Sequence, residues 1–460
     1  MNDWRNSITR RDMLKSVSAG FGYMAFAGLS STHAASGSPL LPKPPHFRPK
    51  AKRVIFACMR GGPSHVDTFD HKPALARDNG KQLGKYRNRE LMASPWEFAP
   101  HGQSGLMISE LFPNLARHAD DLCMLNGMYA SVPAHPQSFI ELHTGSFQFV
   151  RPSMGAWVLY GLGSENQNLP GFISLGPPSN VGGAQNYGSA FLPAYYQGTK
   201  IGEFNRPLRT ASLRNLSNEH VTGNLQRKQL DFLQSLNRDL LARKRKSSQV
   251  EGVIESYELA FRMQSAVPEL MNTGDETQAT LDAYGIGNRA TENFGSQCLL
   301  ARRLAEAGVR FIEISQGNWD QHRNLNSTLT RNCEATDQPL AALLMDLKER
   351  GLLEETLVVW GGEFGRTIYA QKPGDKAGRD HHPRCFTQML AGAGVKGGHV
   401  HGETDDYCYN VARDPVHVHD LNATLLHLLG VDHEKLTFKF QGRDYRLTDV
   451  HGKVVKEILG

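Results

Sequence analysis

The chain has 460 residues, of which 40% are hydrophobic and 21% are charged, so it can bury one large core or two. Its formal net charge of +5 lies partly in the N-terminal segment, and the remainder is too small to indicate nucleic acid as a partner. None of the six cysteines forms a Cys-x-x-Cys pair, which argues against a zinc–thiolate site. Cys58 and Cys123 lie in apolar runs and are expected to be packed thiols, whereas disulfides are allowed among the other four.

The first 34 residues have the pattern of a twin-arginine export signal. Arg10 and Arg11 precede an apolar run at 17–29, and small residues follow, with cleavage expected near Ala34. The run is short and rich in Gly, Ser and Ala, so no stable membrane span is expected after cleavage, although an uncleaved anchor is the other reading. We therefore predict export by the twin-arginine pathway to the periplasm or cell envelope.

Residues 35–50 are rich in Pro, Ser and Lys and predict a linker, after which residues 51–460 predict an α/β domain. Short apolar runs predict six buried strands, at 54–59, 122–128, 172–175, 309–314, 357–360 and 388–392. Helical patterns, typical of a parallel sheet when they alternate with strands, lie at 298–307, 340–353 and 419–430. A further stretch at about 208–282 predicts a helical insertion. The predicted fold is α/β, with a doubly wound, mainly parallel sheet and helices on both faces.

Side chains that can bind metals follow two of these strands and precede a third. Asp320 and His322 come after the fourth strand, and Glu363 comes after the fifth, where two glycines permit a tight turn. His381 and His382 lie in a Gly- and Lys-rich loop before the sixth. Because the carboxyl ends of parallel strands share one edge of the sheet, these side chains can meet there, although each alone also fits a solvated turn.

Carboxylate oxygen and imidazole nitrogen suit zinc, manganese and iron, whereas calcium and magnesium prefer oxygen. We therefore predict that these groups bind one or two divalent ions, which can be zinc, manganese, calcium or magnesium. His381 and His382 are adjacent and cannot easily point the same way, so one can be a ligand while the other is structural.

Other positions are candidates for the chemistry itself. His135, in a segment with two prolines, fits a metal ligand, an acid or base, or the first residue of a helix. Ser64 lies in the polar loop after the first strand and is a candidate nucleophile. Arg60 or Arg366 can hold an anionic oxygen bidentately.

Several of these segments resemble those of a known family. They are the polar loop at 61–70, the Gly-Gly-Glu-Phe-Gly-Arg-Thr segment at 361–367, the Gly-Arg-Asp-His-His segment at 378–382, and two further segments at 397–405 and 420–426. The chain resembles a secreted, sulfatase-like bacterial family catalogued as domain of unknown function 1501, within the alkaline phosphatase/sulfatase superfamily. The resemblance covers nearly all of the mature chain. It implies the superfamily fold, bound divalent metal and an anionic ester substrate, such as a sulfated or phosphorylated carbohydrate.

The chain departs from the sulfatase pattern at two positions. The Ser-Asp-His-Gly motif of sulfatases becomes Gly-Glu-Phe-Gly at 362–365, so the acidic position is kept as Glu363 and Phe364 replaces the histidine. The position of the formylglycine nucleophile is occupied by Ala134, which argues against a formylglycine mechanism.

The resemblance also implies further ligands. Sulfatases place paired aspartates after the first strand, a role that falls here to Asp67 or Asp70, or to neither. Asp320 and His322 fit a shortened form of the phosphatase Asp-x-x-x-His pair. We therefore predict an exported metal-dependent hydrolase of sulfate or phosphate esters that lacks a formylglycine nucleophile. The alternative is a non-catalytic cell-envelope binding protein on a degenerate sulfatase-like fold.

Overall fold

The structure of the protein is a computed structural model that describes residues 38–86, 89–208, 222–243, 248–372, 374 and 376–460. The predicted signal peptide at 1–34 lies outside these residues, and so do residues 35–37 of the predicted linker. Among the described residues, no helix combines the length and the apolar composition that crossing a bilayer requires.

In chain order the strands are β1 (Arg53–Met59), β2 (Phe98–His101), β3 (Leu106–Ser109), β4 (Leu122–Tyr129), β5 (Phe172–Leu175), β6 (Thr199–Ile201), β7 (Phe311–Gln316), β8 (Thr356–Gly361), β9 (Gly365–Ala370), β10 (Arg379–His382), β11 (Phe386–Ala391), β12 (His399–His401), β13 (Glu403–Thr404), β14 (Val411–Arg413), β15 (Val416–His417), β16 (Phe438–Phe440) and β17 (Arg443–Tyr445). The α-helices are α1 (His65–Thr68), α2 (Pro73–Arg77), α3 (His135–Thr144), α4 (Met154–Leu162), α5 (Gly223–Arg243), α6 (Ser248–Met271), α7 (Gln278–Ala283), α8 (Glu292–Glu306), α9 (Leu325–Glu349) and α10 (Val418–Leu428). Short 3-10 helices lie at Gly84–Tyr86, Leu115–Asp121, Gly183–Asn186, Ala194–Tyr196, Leu353–Glu355 and Lys456–Ile458.

One large sheet organises the described part of the chain. Its strand order is β12-β4-β11-β8-β1-β7-β5-β6, and β15 also pairs with β4. Neighbouring strands run parallel, except that β11 is antiparallel to both β8 and β4. The six predicted strands are all members of this sheet, so the predicted mainly parallel α/β fold is confirmed.

The central strand β1 shows why helices cover both faces of the sheet. All of its residues are buried, and they alternate between two apolar clusters. Ile55 and Ala57 pack in the cluster that contains residues of α8 and α9. Val54 and Phe56 pack in the cluster that contains residues of α3, α4 and α10. Burying each large apolar side chain stabilises the fold by about 1.5–3 kcal/mol, which explains the continuous apolar runs of the inner strands.

The predicted insertion is mostly helical in its described residues. Helices α5, α6 and α7 occupy most of the stretch at 208–282, and residues 209–221 and 244–247 lie outside the described ranges. Met263 and Val267 of α6 join the cluster that contains α8 and α9. The domain boundaries themselves stay a prediction.

The register of the central strands aligns their carboxyl ends. Cys58 of β1 lies opposite Ser315 of β7 and opposite Gly361 of β8, so the loops that follow these strands start side by side. Strands β9 and β10 then form a hairpin after β8, in which His381 pairs with Arg366. The predicted loop before the sixth strand is therefore wrong for residues 379–382, because they form β10.

Candidate metal centre

Four side chains converge beyond the carboxyl ends of the central strands. Their ligand atoms all lie within 4.8 Å of one another, and they belong to His135, Asp320, His322 and His381, which we call the histidine cluster. Asp320 Oδ1 is the common point of contact. It lies 3.2 Å from His135 Nε2, 2.9 Å from His322 Nε2 and 3.3 Å from His381 Nε2.

Each member of the cluster is positioned by a different element. Asp320 and His322 follow β7, His381 lies on β10, and His135 is the first residue of α3. The loop after β7 approaches the loop after β1 very closely at Gly61, which has a φ of 116°. A Cβ there would lie 2.7 Å from the backbone nitrogen of Asp320, so only glycine permits this approach.

The imidazoles of His322 and His381 are oriented by acceptors on their far sides. His322 Nδ1–H donates to Gln371 Oε1 at 2.8 Å, and His381 Nδ1–H donates to the carbonyl oxygen of Pro133 at 2.7 Å. With the proton on Nδ1, a neutral imidazole presents its Nε2 lone pair to the cluster. The two Nε2 atoms lie only 2.8 Å apart. Two facing lone pairs repel at that distance, so the arrangement favours a cation between them.

The third imidazole is held by the predicted ligand Glu363. His135 Nδ1–H donates to Glu363 Oε1 at 2.6 Å, and both carboxylate oxygens accept from the Gly61 backbone N–H, at 3.0 and 3.1 Å. His135 Nε2 is buried and has no hydrogen-bond partner of good geometry among the described residues. A carboxylate behind a histidine whose other nitrogen is free is the arrangement that orients metal-binding histidines. Glu363 thus contacts the cluster through His135, and its direct binding of a metal stays a prediction.

Charge is balanced tightly around Asp320. Burial disfavours its charged form, but the close contacts with His135, His381 and Arg366 hold the pKa of Asp320 far below its ordinary value. Burial likewise opposes protonation of His135, yet the neighbouring carboxylates of Asp320 and Glu363 raise its pKa above the ordinary value. The cluster therefore carries a permanent carboxylate surrounded by imidazoles, which is a suitable donor set for a divalent ion.

Arg366, predicted to hold an anionic oxygen, is fully buried and is used within the protein. Its Nη2 donates to Asp320 Oδ1 at 2.7 Å and also to the carbonyl oxygen of Gly61, while its Nε donates to the Gly62 carbonyl oxygen at 3.1 Å. Burial lowers the pKa of Arg366. Its donors brace the loops after β1 and β7, so it orients Asp320 and has little capacity left for a substrate.

Three imidazole nitrogens and one carboxylate oxygen form a donor set that suits zinc, manganese or iron. The buried His135 Nε2, which makes no well-oriented hydrogen bond, and the close approach of His322 Nε2 to His381 Nε2 both fit an ion at the cluster. The residues present therefore fit a divalent metal.

A family model described as "Protein of unknown function (DUF1501)" matches residues 51–459. The chain belongs to this family. A comparison with curated proteins finds no match.

Among solved structures, the DUF1501 chain is similar to the lipoteichoic acid synthase LtaP from Listeria monocytogenes, at 10% identity and a TM-score of 0.39 over 89% of this chain and 78% of that one. It is similar to the PsFucS1 sulfatase from Pseudoalteromonas sp., at 15% identity and a TM-score of 0.37 over 90% and 72% of the two chains. It is also similar to alkaline phosphatase from the Antarctic bacterium TAB5, at 11% identity and a TM-score of 0.34 over 83% and 97%.

Two predicted site residues of the DUF1501 chain lie at a buried ion pair, away from the histidine cluster, and only one of them belongs to the pair. Asp67 accepts from Arg379 through both oxygens, at 2.7 and 2.9 Å, and neither side chain is exposed. Ser64 is also fully buried, and its Oγ donates to Asp67 Oδ2 at 2.5 Å. These contacts give no geometric support to Asp67 as a metal ligand or to Ser64 as a nucleophile.

The two adjacent histidines of β10 point in different directions, because successive side chains of a strand alternate. His381 joins the cluster, whereas the Nε2–H of the buried His382 donates to the Tyr409 carbonyl oxygen at 2.7 Å. His382 therefore stands apart from the site that its neighbour helps to form.

The sequence did not reveal all the groups that build the site. Gln371 and the Pro133 carbonyl oxygen orient two of the histidines, but neither belongs to a residue type or spacing that indicates a metal site. Phe364, the residue in place of the sulfatase histidine, is fully buried, and its ring centroid lies 4.8 Å from those of both His135 and His381. It forms an apolar wall of the cluster.

A second group of possible ligands is formed by His65, Cys385 and Cys408, all buried. The backbone N–H of Arg366 donates to His65 Nδ1 at 3.4 Å, which places the imidazole proton on Nε2, 3.6 Å from Cys385 Sγ. A metal could bind that Nε2 only if the nitrogen were unprotonated. The geometry therefore fits a pair of thiols better than it fits a metal site. The six cysteines are all buried and free, which confirms Cys58 and Cys123 as packed thiols.

Proposed function

We propose that this protein is an exported, metal-dependent hydrolase of sulfate or phosphate esters. The observation that carries the proposal is the convergence of three imidazole Nε2 atoms on Asp320 Oδ1, with every Nδ1 tied to an acceptor. The ester class is supported by the resemblance of the chain to the alkaline phosphatase/sulfatase superfamily, in which Glu363 keeps the acidic position of the sulfatase motif and residues 420–426 are similar to a sulfatase segment.

His135, Asp320, His322 and His381 would hold the ion. When bound, a divalent ion supplies Lewis-acid polarisation of an ester oxygen and lowers the pKa of a water molecule. Glu363 and Gln371 keep the imidazoles of His135 and His322 in the binding orientation.

Arg366 and Phe364 both shape the histidine cluster, one through charge and the other by excluding water. Arg366 keeps Asp320 ionised and aimed at the three imidazoles. Phe364 covers the rings of His135 and His381 on one side, which excludes water from that side of the cluster. Substrate must then approach from the partly exposed side, where Asp320 and His322 reach solvent.

The attacking oxygen in this proposal comes from water. Ala134 stands at the nucleophile position of sulfatases, and Ser64 is fully buried against Asp67. The lack of a side-chain nucleophile at these two positions also favours the alternative, a metal-binding protein of the cell envelope without turnover. Activity therefore has to be measured directly.

The test uses metal-loaded protein and a panel of aryl sulfates and aryl phosphates. We expect hydrolysis of at least one of the two ester classes by the wild type. His381→Gln should abolish it, whereas His382→Gln, a matched control on the next residue of β10, should retain it because His382 lies outside the cluster. Activity that survives His381→Gln, or the absence of turnover on every ester with metal bound, would reject the hydrolase proposal and leave the binding protein.

A further inference from the structure

A cavity of about 450 Å³ opens beside the histidine cluster and shares Asp320 with it. We call it the arginine cavity, because its lining includes Arg60, Arg323 and Arg331. Asp320 is the only carboxylate among its lining residues, and its Oδ1 is already in contact with Arg366 and the three imidazoles. The rest of the lining is formed by neutral Asn, Gln and Thr side chains.

The positive charge of this lining is not balanced by salt bridges within the described residues. Arg60, Arg323 and Arg331 make no salt bridge to any described residue. Arg60 is half-buried, whereas Arg323 and Arg331 are exposed to solvent. Three unpaired guanidinium groups on one cavity repel one another, so an anion between them would be stabilising.

Arg60 strengthens the case, because it is held in place. Its guanidinium lies over the Phe204 ring, 5.2 Å from the ring centroid, and its Nε is buried with no acceptor among the described residues. Holding the guanidinium in one place reduces the entropy that is lost when it binds an anion. Arg331 lies in the second turn of α9.

We propose that the arginine cavity binds a second anionic group of the substrate, next to the ester that is hydrolysed at the histidine cluster. The substrate class is therefore an ester that carries at least two anionic groups, sulfate, phosphate or carboxylate, such as a multiply sulfated or phosphorylated saccharide. The identity of the reacting ester rests on the proposed function, but binding of an anion in the cavity does not.

The first arm of the test measures binding without turnover. Sodium sulfate is titrated at constant ionic strength into the full chain after removal of metal with a chelator, and heat of binding is recorded. We expect saturable binding, with the dissociation constant raised about tenfold or more by Arg323→Gln combined with Arg331→Gln. Arg289→Gln removes an exposed arginine outside the cavity and should leave the dissociation constant within about twofold of wild type. Binding that is absent, or unchanged in the double variant, overturns the proposal.

The second arm uses the metal-loaded enzyme and two aryl esters that differ only in one additional sulfate. The double variant should lower kcat/KM for the two-anion ester by about tenfold and leave that for the one-anion ester within about twofold. An equal effect on both esters overturns the proposal. If neither ester is hydrolysed, the proposed function has failed, and the sulfate titration still decides whether the cavity binds anions.

Discussion

Replacing Glu363 by glutamine tests how the histidine cluster is oriented. The carboxylate accepts from His135 Nδ1 at 2.6 Å and from the Gly61 N–H at 3.0 and 3.1 Å. Glutamine has nearly the same shape but no charge, and its amide nitrogen would replace one of the two oxygens, either the one 2.6 Å from His135 Nδ1 or the one 3.1 Å from the Gly61 nitrogen. Loss of such a partner typically weakens metal binding by about 10- to 100-fold, equivalent to about 1.4–2.8 kcal/mol.

The assay is a competition titration with a chromophoric chelator, in which zinc is transferred to wild type or variant. Unfolding by urea is measured in parallel, because an amide N–H facing the Gly61 N–H should also cost about 1–3 kcal/mol of stability. Glu313→Gln is the matched control: this glutamate is equally buried but lies beside His143 and not beside the cluster. It should change stability without changing zinc affinity.

Two results would refute this reasoning. If Glu363→Gln binds zinc within about twofold of wild type, the carboxylate does not orient His135 for a metal. If it loses as much affinity as His322→Ala, Glu363 is itself a ligand, as the sequence first indicated.

Three further predictions concern other parts of the molecule. Asp67→Asn leaves Arg379 buried without its charge partner and should destabilise the fold by about 3–5 kcal/mol, as measured by urea unfolding. The metal content per folded molecule should stay unchanged. A reduced metal content would show that Asp67 contributes to the metal site. Burial and the neighbouring His419 lower the pKa of His417 to about 4 from an ordinary value of 6.5. The unfolded chain therefore takes up this proton at higher pH than the folded chain, and stability falls as pH drops from about 6.5 towards 4, by at most about 2 kcal/mol between pH 7 and pH 5. His417→Asn should remove that part of the pH dependence while its side chain can still cap α10, and an unchanged slope would contradict the assignment. Replacing Arg10 and Arg11 together by lysine should leave the full-length precursor in the cytoplasm on fractionation, whereas processed protein in the periplasm would contradict twin-arginine export.

The inner strands were predictable because they are buried on both faces. A strand such as β8, with every residue buried, has to be apolar throughout, and that pattern is visible without knowledge of its neighbours. The edge strands β6, β12 and β15 were not predicted. They are two or three residues long and only partly buried, so they have no distinctive pattern.

The site was predictable in part for a topological reason. Asp320 and His322 follow a central strand, and the shared edge of a parallel sheet brings such residues together whatever their separation in sequence. His381 reaches the same place through the β9–β10 hairpin. The residues of β10 were interpreted as part of a Gly- and Lys-rich loop.

Long-range pairing explains what could not be predicted. Asp67 follows the first strand, as a superfamily metal ligand would, but Arg379, 312 residues away, donates hydrogen bonds to both of its oxygens. Glu363 also lies at a strand end, and only the position of His135, 228 residues earlier, turns it into a supporting group. The local sequence shows that a carboxylate is present, but it does not show which distant group contacts that carboxylate in the folded protein.

The central claim is tested most directly by the metal content of the purified full-length chain, measured by mass spectrometry of the elements after dialysis. The account predicts about one divalent ion per chain, lost when His322 and His381 are both replaced by glutamine and retained in the His382→Gln control. A wild-type protein that holds no divalent ion even after incubation with zinc or manganese, or a double variant that holds as much as wild type, would contradict it.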